Sequence, residues 1–342
     1  MHVYTSVHTP PVTRIGPMKA ITYKEYGAPE VLTPEQVTTP TPKDNEVLVK
    51  IQATSVTTGD QKARSLDLPS GYGLVGRLVF GILAPRHQIL GTELAGRIVA
   101  IGRKVTRFKI GDDIFAYPGA QLGGYAEYIA LPEDAAMALM PSQLSYKEAA
   151  GLSFGPATAL NFLRDKGGIQ SGEHVLIVGA SGGVGTAAVQ LAKYFGAHVT
   201  GVCSTANIDL VHSIGANEVI DYTREDFSQT GADYDIILDT TGTVSYRTAQ
   251  KALRSGGRFL MVAGDLPQLL SMTFAKKRDG KKGIAGYAPE KAEELAFIAE
   301  LVEAGQFFPV IDRCYPLDEI QDAHAYVDTG RKKGNVIISL GD

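Results

Sequence analysis

Tryptophan is absent from the 342 residues, and cysteine occurs only at Cys203 and Cys314. Two thiols cannot build a disulfide framework, so an apolar core must hold the fold, and a reducing compartment suits the chain. Both cysteines fall in apolar, strand-like runs, which predicts buried, inert thiols. Long apolar runs are missing too: none approaches the ~20 residues of a membrane-spanning helix. A basic surplus is also missing. The 33 Lys and Arg against 37 Asp and Glu leave a net charge of −4. That balance argues against a phosphate-neutralising, nucleic-acid-binding surface. Residues 1–17 lack the apolar core of a secretory signal and carry one basic residue, Arg14. They read as a flexible extension, and the chain reads as cytoplasmic.

What is present is an apolar content of 44 % and 38 glycines, several of them clustered. The run His174–Val178 is apolar and strand-like. It enters the turn Gly179-Ala180-Ser181-Gly182-Gly183-Val184-Gly185, and Ala187, Ala188, Leu191, Ala192 and Phe195 then recur at helical spacing. Glycines allow the backbone to approach a pyrophosphate, and a helix N-terminus presents free N–H donors to the anion. The segment predicts the first βα unit of a dinucleotide-binding domain, with Ala180, Ser181, Gly182, Gly183, Val184 and Gly185 at the cofactor. Ser181 stands where a second glycine is usual.

Strands are predicted at 174–179, 198–203, 217–220, 235–239, 257–262 and 283–287, with helices at 184–195, 206–214, 244–254 and 289–304. This alternation predicts a parallel sheet covered on both faces. Residues 18–142 instead hold short β-type runs bounded by Gly, Pro and Asp, among them Val47–Ile51, Ala95–Ile101 and Ala126–Ile129. A strand at 310–315, a helix at 317–328 and a strand at 335–340 return to that first part. Residues 71–90 read as an irregular apolar excursion. With the loop 118–124 they are expected to shape a pocket.

Three segments together resemble the medium-chain dehydrogenase/reductase superfamily. They are Gly91-Thr92-Glu93-Leu94-Ala95-Gly96 with the following Val105–Asp112, the glycine turn, and Gly215–Tyr222. The resemblance is strongest to the zinc-free quinone oxidoreductase, zeta-crystallin-like branch. It implies an α/β fold: a Rossmann doubly wound parallel sheet plus a GroES-like β-rich catalytic domain. The implied division is 18–142 with 310–342 for the GroES-like domain and 143–309 for the Rossmann domain, with a cofactor cleft between them. It also implies that Thr158 meets the nicotinamide end and that Lys333-Gly334-Asn335 approaches the cofactor. A homodimer joined at the edge strand near Gly283–Tyr287 is implied as well.

Zinc-dependent relatives hold their metal with cysteine and histidine. Here those positions read as Thr57 and Thr92, whose hydroxyls are poor zinc ligands, so no metal is expected. Without a Lewis acid, a conjugated acceptor is the easier substrate, because hydrogen bonds can stabilise its enolate.

NAD-specific sites place an acid about 20 residues past the glycine turn. Here Ser204 and Thr205 follow the second strand, and Asp209 is the first acid. That favours NADPH, with NADH use still open. Either Ser204 or Thr205 also serves as the cap of the next helix. Arg224 or Lys333 is a candidate cation for the 2′-phosphate, with Tyr222 beside it. Thr241 and Val262-Ala263-Gly264 end strands and are expected to line the crevice.

Asp60 and Lys62 are the candidates for charge or proton handling, in what reads as the loop after Thr57. Tyr117, Phe80, Leu122 and Phe154 are candidate walls. The reading is a metal-free NADPH-dependent reductase of a small quinone or α,β-unsaturated carbonyl. The rival readings are a metal-free alcohol or carbonyl dehydrogenase and a non-catalytic NADPH-binding partner protein.

Overall fold

A computed structural model describes residues 16–231, 233–274 and 279–341. Most of the N-terminal extension therefore lies outside the described residues. Six strands form an all-parallel sheet in the order Glu218–Asp221, His198–Cys203, His174–Val178, Tyr234–Asp239, Leu253–Met261, Lys282–Ala285. The chain runs outward from His174–Val178 on one side and resumes on the other at Tyr234–Asp239. The order thus reverses between these two strands, at the carboxyl ends of which open α/β sheets bind ligands. Val175, Leu176 and Ile177 are buried, as a strand covered on both faces requires. Helices Gly183–Tyr194, Ile208–Ser213, Tyr246–Ala252 and Ala292–Glu303 match the expected ones to within a few residues.

A second sheet has seven strands. Its path is Ile311–Pro316, Asn335–Ser339, Glu46–Ser55, Leu94–Ile101, Asp113–Ala116, Met137–Leu139, with Tyr128–Pro132 also pairing Glu46–Ser55. The terminal strand docks antiparallel on Glu46–Ser55, with Ile337 opposite Ser55, so the chain's end does return to its beginning. This is the β-rich, GroES-like part, and the parallel sheet is the Rossmann part. One apolar cluster runs from Ala53 and Phe115 through Ala157 and Leu160 to Ile177 and Ile236. The two sheets therefore share a core at their junction, built around the buried helix Phe154–Leu160.

Four features differ from the sequence reading. The segment carrying Asp60 and Lys62 is a helix, Thr58–Ser65, because Thr57 and Asp60 form a reciprocal capping box. Residues 73–80 of the supposed irregular excursion are also helical; Gly73 and Gly76, poor helix formers, made the run read as irregular. Helix Leu266–Phe274 was not anticipated either, because Pro267 reads as a breaker, although a proline is tolerated in a helix's first turn. Cys314 is exposed rather than buried, since it lies on an edge strand of the second sheet. Cys203 is buried, and burial pushes its thiol up to about 11.

Candidate active site

The glycine turn closes tightly. A Cβ on Gly185 would stand 2.0 Å from the Gly179 carbonyl oxygen, so only glycine lets helix Gly183–Tyr194 start against its strand. Gly182 is different: the nearest atom to a Cβ there lies 3.5 Å away, which leaves its outer side open. Gly182 is the N-cap and offers no side chain to the first turn. The amides of Gly183, Val184 and Gly185 are thus the orphan donors that an anion satisfies. Ala180 is buried behind them.

Ser181 turns out to be tied on two sides. Its Oγ accepts from Asn207 Nδ2 at 3.0 Å, and its carbonyl accepts from the Gly334 amide at 2.8 Å. Asn207 Nδ2 also lies 3.4 Å from Ser204 Oγ. The corner Lys332–Asn335 therefore does reach the turn, but its cation there is Lys332. Lys332 Nζ donates to Gly334 O at 2.9 Å and would lie 3.4 Å from a Cβ on Gly183. Burial lowers its pKa, opposed by the charges of Glu93, Asp312 and Asp60. Lys333 instead gives its backbone amide to Asp312 Oδ2 at 2.8 Å. Asn335 lines the turn from the same side, 3.3 Å from the Gly183 Cβ position through Oδ1, and donates through Nδ2 to Val310 O at 3.2 Å.

At the end of the second strand, Thr205 donates its hydroxyl to Asp221 Oδ2. Asp221 also accepts from the Thr223 amide at 3.0 Å and the Thr223 hydroxyl at 2.7 Å, and Arg224 Nε approaches it at 3.5 Å. These hydrogen bonds, that of Thr205 foremost, outweigh burial and hold the Asp221 carboxyl below its usual range. An acid is thus present at this corner, brought from the neighbouring strand by the register Cys203 opposite Asp221. It is already saturated by hydroxyls, an amide and a cation. Ser204 is the N-cap of the short 3-10 turn Thr205–Asn207, with no side-chain capping bond. Tyr222 is exposed beside it.

Two strand ends of the parallel sheet meet at one corner. Asp239 is fully buried, and its Oδ1 accepts from the Thr241 amide and hydroxyl at 2.8 and 2.7 Å and from the Gly242 amide at 3.1 Å. Gly242 abuts Ala263, whose carbonyl oxygen would lie 3.0 Å from a Gly242 Cβ. Val262 is locked to the same strand end by its amide bond to Asp239 O at 2.9 Å, and Gly264 lies next to Gln268. Thr241, Val262, Ala263 and Gly264 are therefore brought together at the crevice. Thr158 sits on the junction helix, and its hydroxyl makes no hydrogen bond among the described residues.

Across the junction, Asp60 is wholly buried. Its Oδ2 accepts from the Thr57 amide at 2.9 Å, the Thr57 hydroxyl at 2.6 Å and the Thr92 hydroxyl at 3.2 Å, and its Oδ1 from the Gly91 amide at 3.2 Å. Glu93 beside it accepts from Ser55 Oγ, from Ser153 Oγ at 2.9 Å and from the Phe154 amide at 2.8 Å. Burial raises both carboxyls despite these bonds. Lys62, on the same helix as Asp60, has no side-chain partner among the described residues. Tyr117 packs edge-to-face on Phe154 with centroids 5.9 Å apart, and burial raises its phenol. Leu122 and Phe80 belong to a neighbouring apolar cluster with Tyr125.

Residues 43–142 match the model of the alcohol dehydrogenase GroES-like domain, and residues 214–338 match that of the zinc-binding dehydrogenase. The chain is 33 % identical to 2-methylene-furan-3-one reductase of Solanum lycopersicum over 94 % of its own length and 79 % of that protein's. It is 33 % identical to a quinone oxidoreductase of Sus scrofa over 94 % of this chain and 98 % of that one. The solved quinone oxidoreductase of Coxiella burnetii superposes with a TM-score of 0.84 at 27 % identity, over 95 % of this chain and 99 % of the other. This chain belongs to the medium-chain dehydrogenase/reductase superfamily, in its quinone oxidoreductase-like branch.

Within that superfamily the metal position is decisive. Thr57 and Thr92 lie with their hydroxyl oxygens 3.2 Å apart, so the two expected ligand positions do meet. Thr57 Oγ1 is already committed, donating to Asp60 Oδ2 and accepting the Asp60 amide at 3.0 Å. Hydroxyls engaged in this way do not fit zinc, which selects thiolate, imidazole and carboxylate. Among the described residues, no three His, Cys, Asp or Glu side chains cluster to hold a metal ion. Zinc, which one matched family's description names, therefore has no donor set at this position. The residues at the glycine turn suit a dinucleotide's phosphates instead: the helix start is uncapped, Gly182 has an open side and Lys332 Nζ lies beside Gly183.

Sequence reasoning missed Lys332 and Asn207. Lys332 neighbours Lys333, and only the course of the backbone says which lysine turns inward. Asn207 carried a signal in hindsight: an amide three residues after Ser204 can link that serine to the glycine turn.

Proposed function

We propose that this protein is a metal-free, NADPH-dependent reductase of quinones or α,β-unsaturated carbonyl compounds. The observation that carries the reading is an intact dinucleotide cradle facing a metal position made of hydroxyls. Bound nicotinamide would supply the hydride. The chain's own groups would do the rest. The amides of Gly183, Val184 and Gly185, with Lys332, hold the pyrophosphate. Thr158, Thr241, Val262, Ala263, Gly264 and Asn335 line the nicotinamide side of the groove. Ser204, Tyr222 and Arg224 take the adenosine phosphate. Thr205 contributes less there, because its hydroxyl proton is given to Asp221. The saturated Asp221 is why we favour NADPH over NADH, since a neutralised carboxylate repels a phosphate weakly.

Asp60 is a positioning residue that fixes Thr57, Thr92 and the start of helix Thr58–Ser65. Lys62, unpartnered among the described residues, is the candidate to stabilise the enolate oxygen, with proton delivery from solvent. Positioning and hydrogen-bond stabilisation then supply the catalysis. The relatives, a furanone reductase and a quinone oxidoreductase, support a conjugated acceptor. The same reading divides the chain into a GroES-like part, 18–142 with 310–342, and a Rossmann part, 143–309. It makes the protein a cytoplasmic homodimer joined at the edge strand Lys282–Ala285. No helix among the described residues is long and apolar enough to cross a membrane.

Following NADPH and NADH oxidation against a panel of quinones, enones and simple ketones tests this. Turnover of conjugated acceptors, faster with NADPH, is expected. Turnover confined to simple ketones, with the reverse reduction of NADP+ by simple alcohols, would replace the proposal with a dehydrogenase.

A further inference from the structure

Helix Gly73–Phe80 is built almost wholly of apolar residues, yet Gly76 is the only one it buries. Leu74 is 74 % exposed, and Val75, Leu78 and Val79 are more than half exposed. The turn that follows adds Ile82 and Leu83, the latter 94 % exposed. A second apolar helix, Leu266–Phe274, packs against the segment that leads into this one. Its Leu266 amide donates to Ser70 O at 3.0 Å, and its Leu266 side chain lies against Gly71. Leu266, Leu270 and Phe274 recur four residues apart, on one face, and Phe274 is 81 % exposed. Folded monomers do not leave apolar surface of this extent bare without a use for it.

The charge on the first part of the patch is of one sign: no acid occurs between Asp67 and Glu93, while Arg77 lies in the first helix and Arg86 follows its turn. The one acid at the start of the second helix, Asp265, accepts from the Gln268 amide. Helix Leu266–Phe274 carries no charge at all. The apolar side chains project outward instead of lining a groove, and the first helix spans only two turns. A projecting apolar helix with a basic collar is the form that lies in the interface of an anionic bilayer, where charge attraction and apolar insertion add.

We propose that helices Gly73–Phe80 and Leu266–Phe274, with the turn through Leu83, form a docking surface for an anionic lipid bilayer. Leu266 follows Gly264 at the crevice, so the docked face borders the cleft mouth. Acceptors dissolved in the bilayer would then reach the cleft directly. That consequence rests on the reductase reading, whereas docking itself does not.

The test is flotation of the full chain with vesicles of phosphatidylcholine, alone or mixed with phosphatidylserine, at low and high salt. Binding to the mixed vesicles is expected, weaker to phosphatidylcholine alone and weakened by salt. The double variant Leu78→Glu, Leu83→Glu should lose at least about tenfold in partitioning. It should keep its melting temperature and its affinity for NADPH, whose proposed contacts lie elsewhere. Leu139→Glu, an exposed site on the other sheet, should bind as the parent does. Failure to float with either vesicle, or equal flotation of the double variant, would overturn the proposal. So would loss of a dimer in the double variant on gel filtration, which would make the patch an interface between copies.

Discussion

Lys332 shows how finely a site is decided at the residue scale. Of the adjacent lysines, one turns its ammonium to the glycine turn, and the other spends its backbone amide on Asp312. Charge-assisted bonds contribute about 1.5–3 kcal/mol each. Lys332→Met should therefore raise the KM for NADPH about tenfold or more with a smaller change in kcat, read from initial rates at saturating acceptor.

His324 makes a second residue-scale prediction. It is fully buried against Tyr125, with Nε2 3.1 Å from the phenol oxygen, and Nδ1 has no partner. Burial first, and the Arg64 charge second, lower its pKa from 6.5 to about 3. Between these two values the unfolded chain binds a proton that the folded chain does not. Stability therefore rises with pH across that window and is lost as pH falls through it, by up to about 1.4 kcal/mol per pH unit. Denaturant titrations of His324→Gln should show a shallower acid loss than the parent, whatever the variant's stability at neutral pH.

At the scale of elements, the parallel sheet was legible because each strand is a short apolar run bounded by turn residues and each helix shows its period. The strands expected at 198–203 and 235–239 and the helix expected at 184–195 agree with the structure to within one residue. Helices Thr58–Ser65 and Gly73–Phe80 were not legible, for different reasons. The first is polar and begins on a capping box whose spacing from Thr57 to Asp60 is visible only once the loop is doubted. The second carries Gly73 and Gly76, and glycine is a poor helix former, so the run read as irregular. The glycine turn separates folding from binding. Gly185→Ala drives a methyl into the Gly179 carbonyl and should cost several kcal/mol of stability, about the overpacking range of 1–3 or more. Gly182→Ala meets no atom closer than 3.5 Å. It should keep its melting temperature while weakening cofactor affinity about tenfold, because the methyl occupies the pyrophosphate's approach. Thermal denaturation with and without NADPH distinguishes the two.

For the whole molecule, the shared core at the junction fixes the parallel sheet, proposed to bind the dinucleotide, against the β-rich sheet, proposed to shape the acceptor site. The candidate site was legible where motif and strand end coincide, as at Ser181–Gly185 and Val262–Gly264. It was not legible where distant segments meet, as at Asp221 beside Thr205 or Glu93 beneath Phe154. Lys282–Ala285 leaves one edge of the parallel sheet open, and an open edge is a template for pairing. Light scattering should give a dimer, and Ile284→Pro, which removes an edge donor, should give a monomer that still binds NADPH.

The central claim is that hydrogen bonds and shape replace a metal at Thr57 and Thr92. Its most direct test is turnover of NADPH with a quinone and with an enone after exhaustive dialysis against a chelator, alongside metal analysis of the same sample. Unchanged turnover in protein free of zinc is the expected result. Loss of turnover on chelation, restored by stoichiometric zinc, would contradict it.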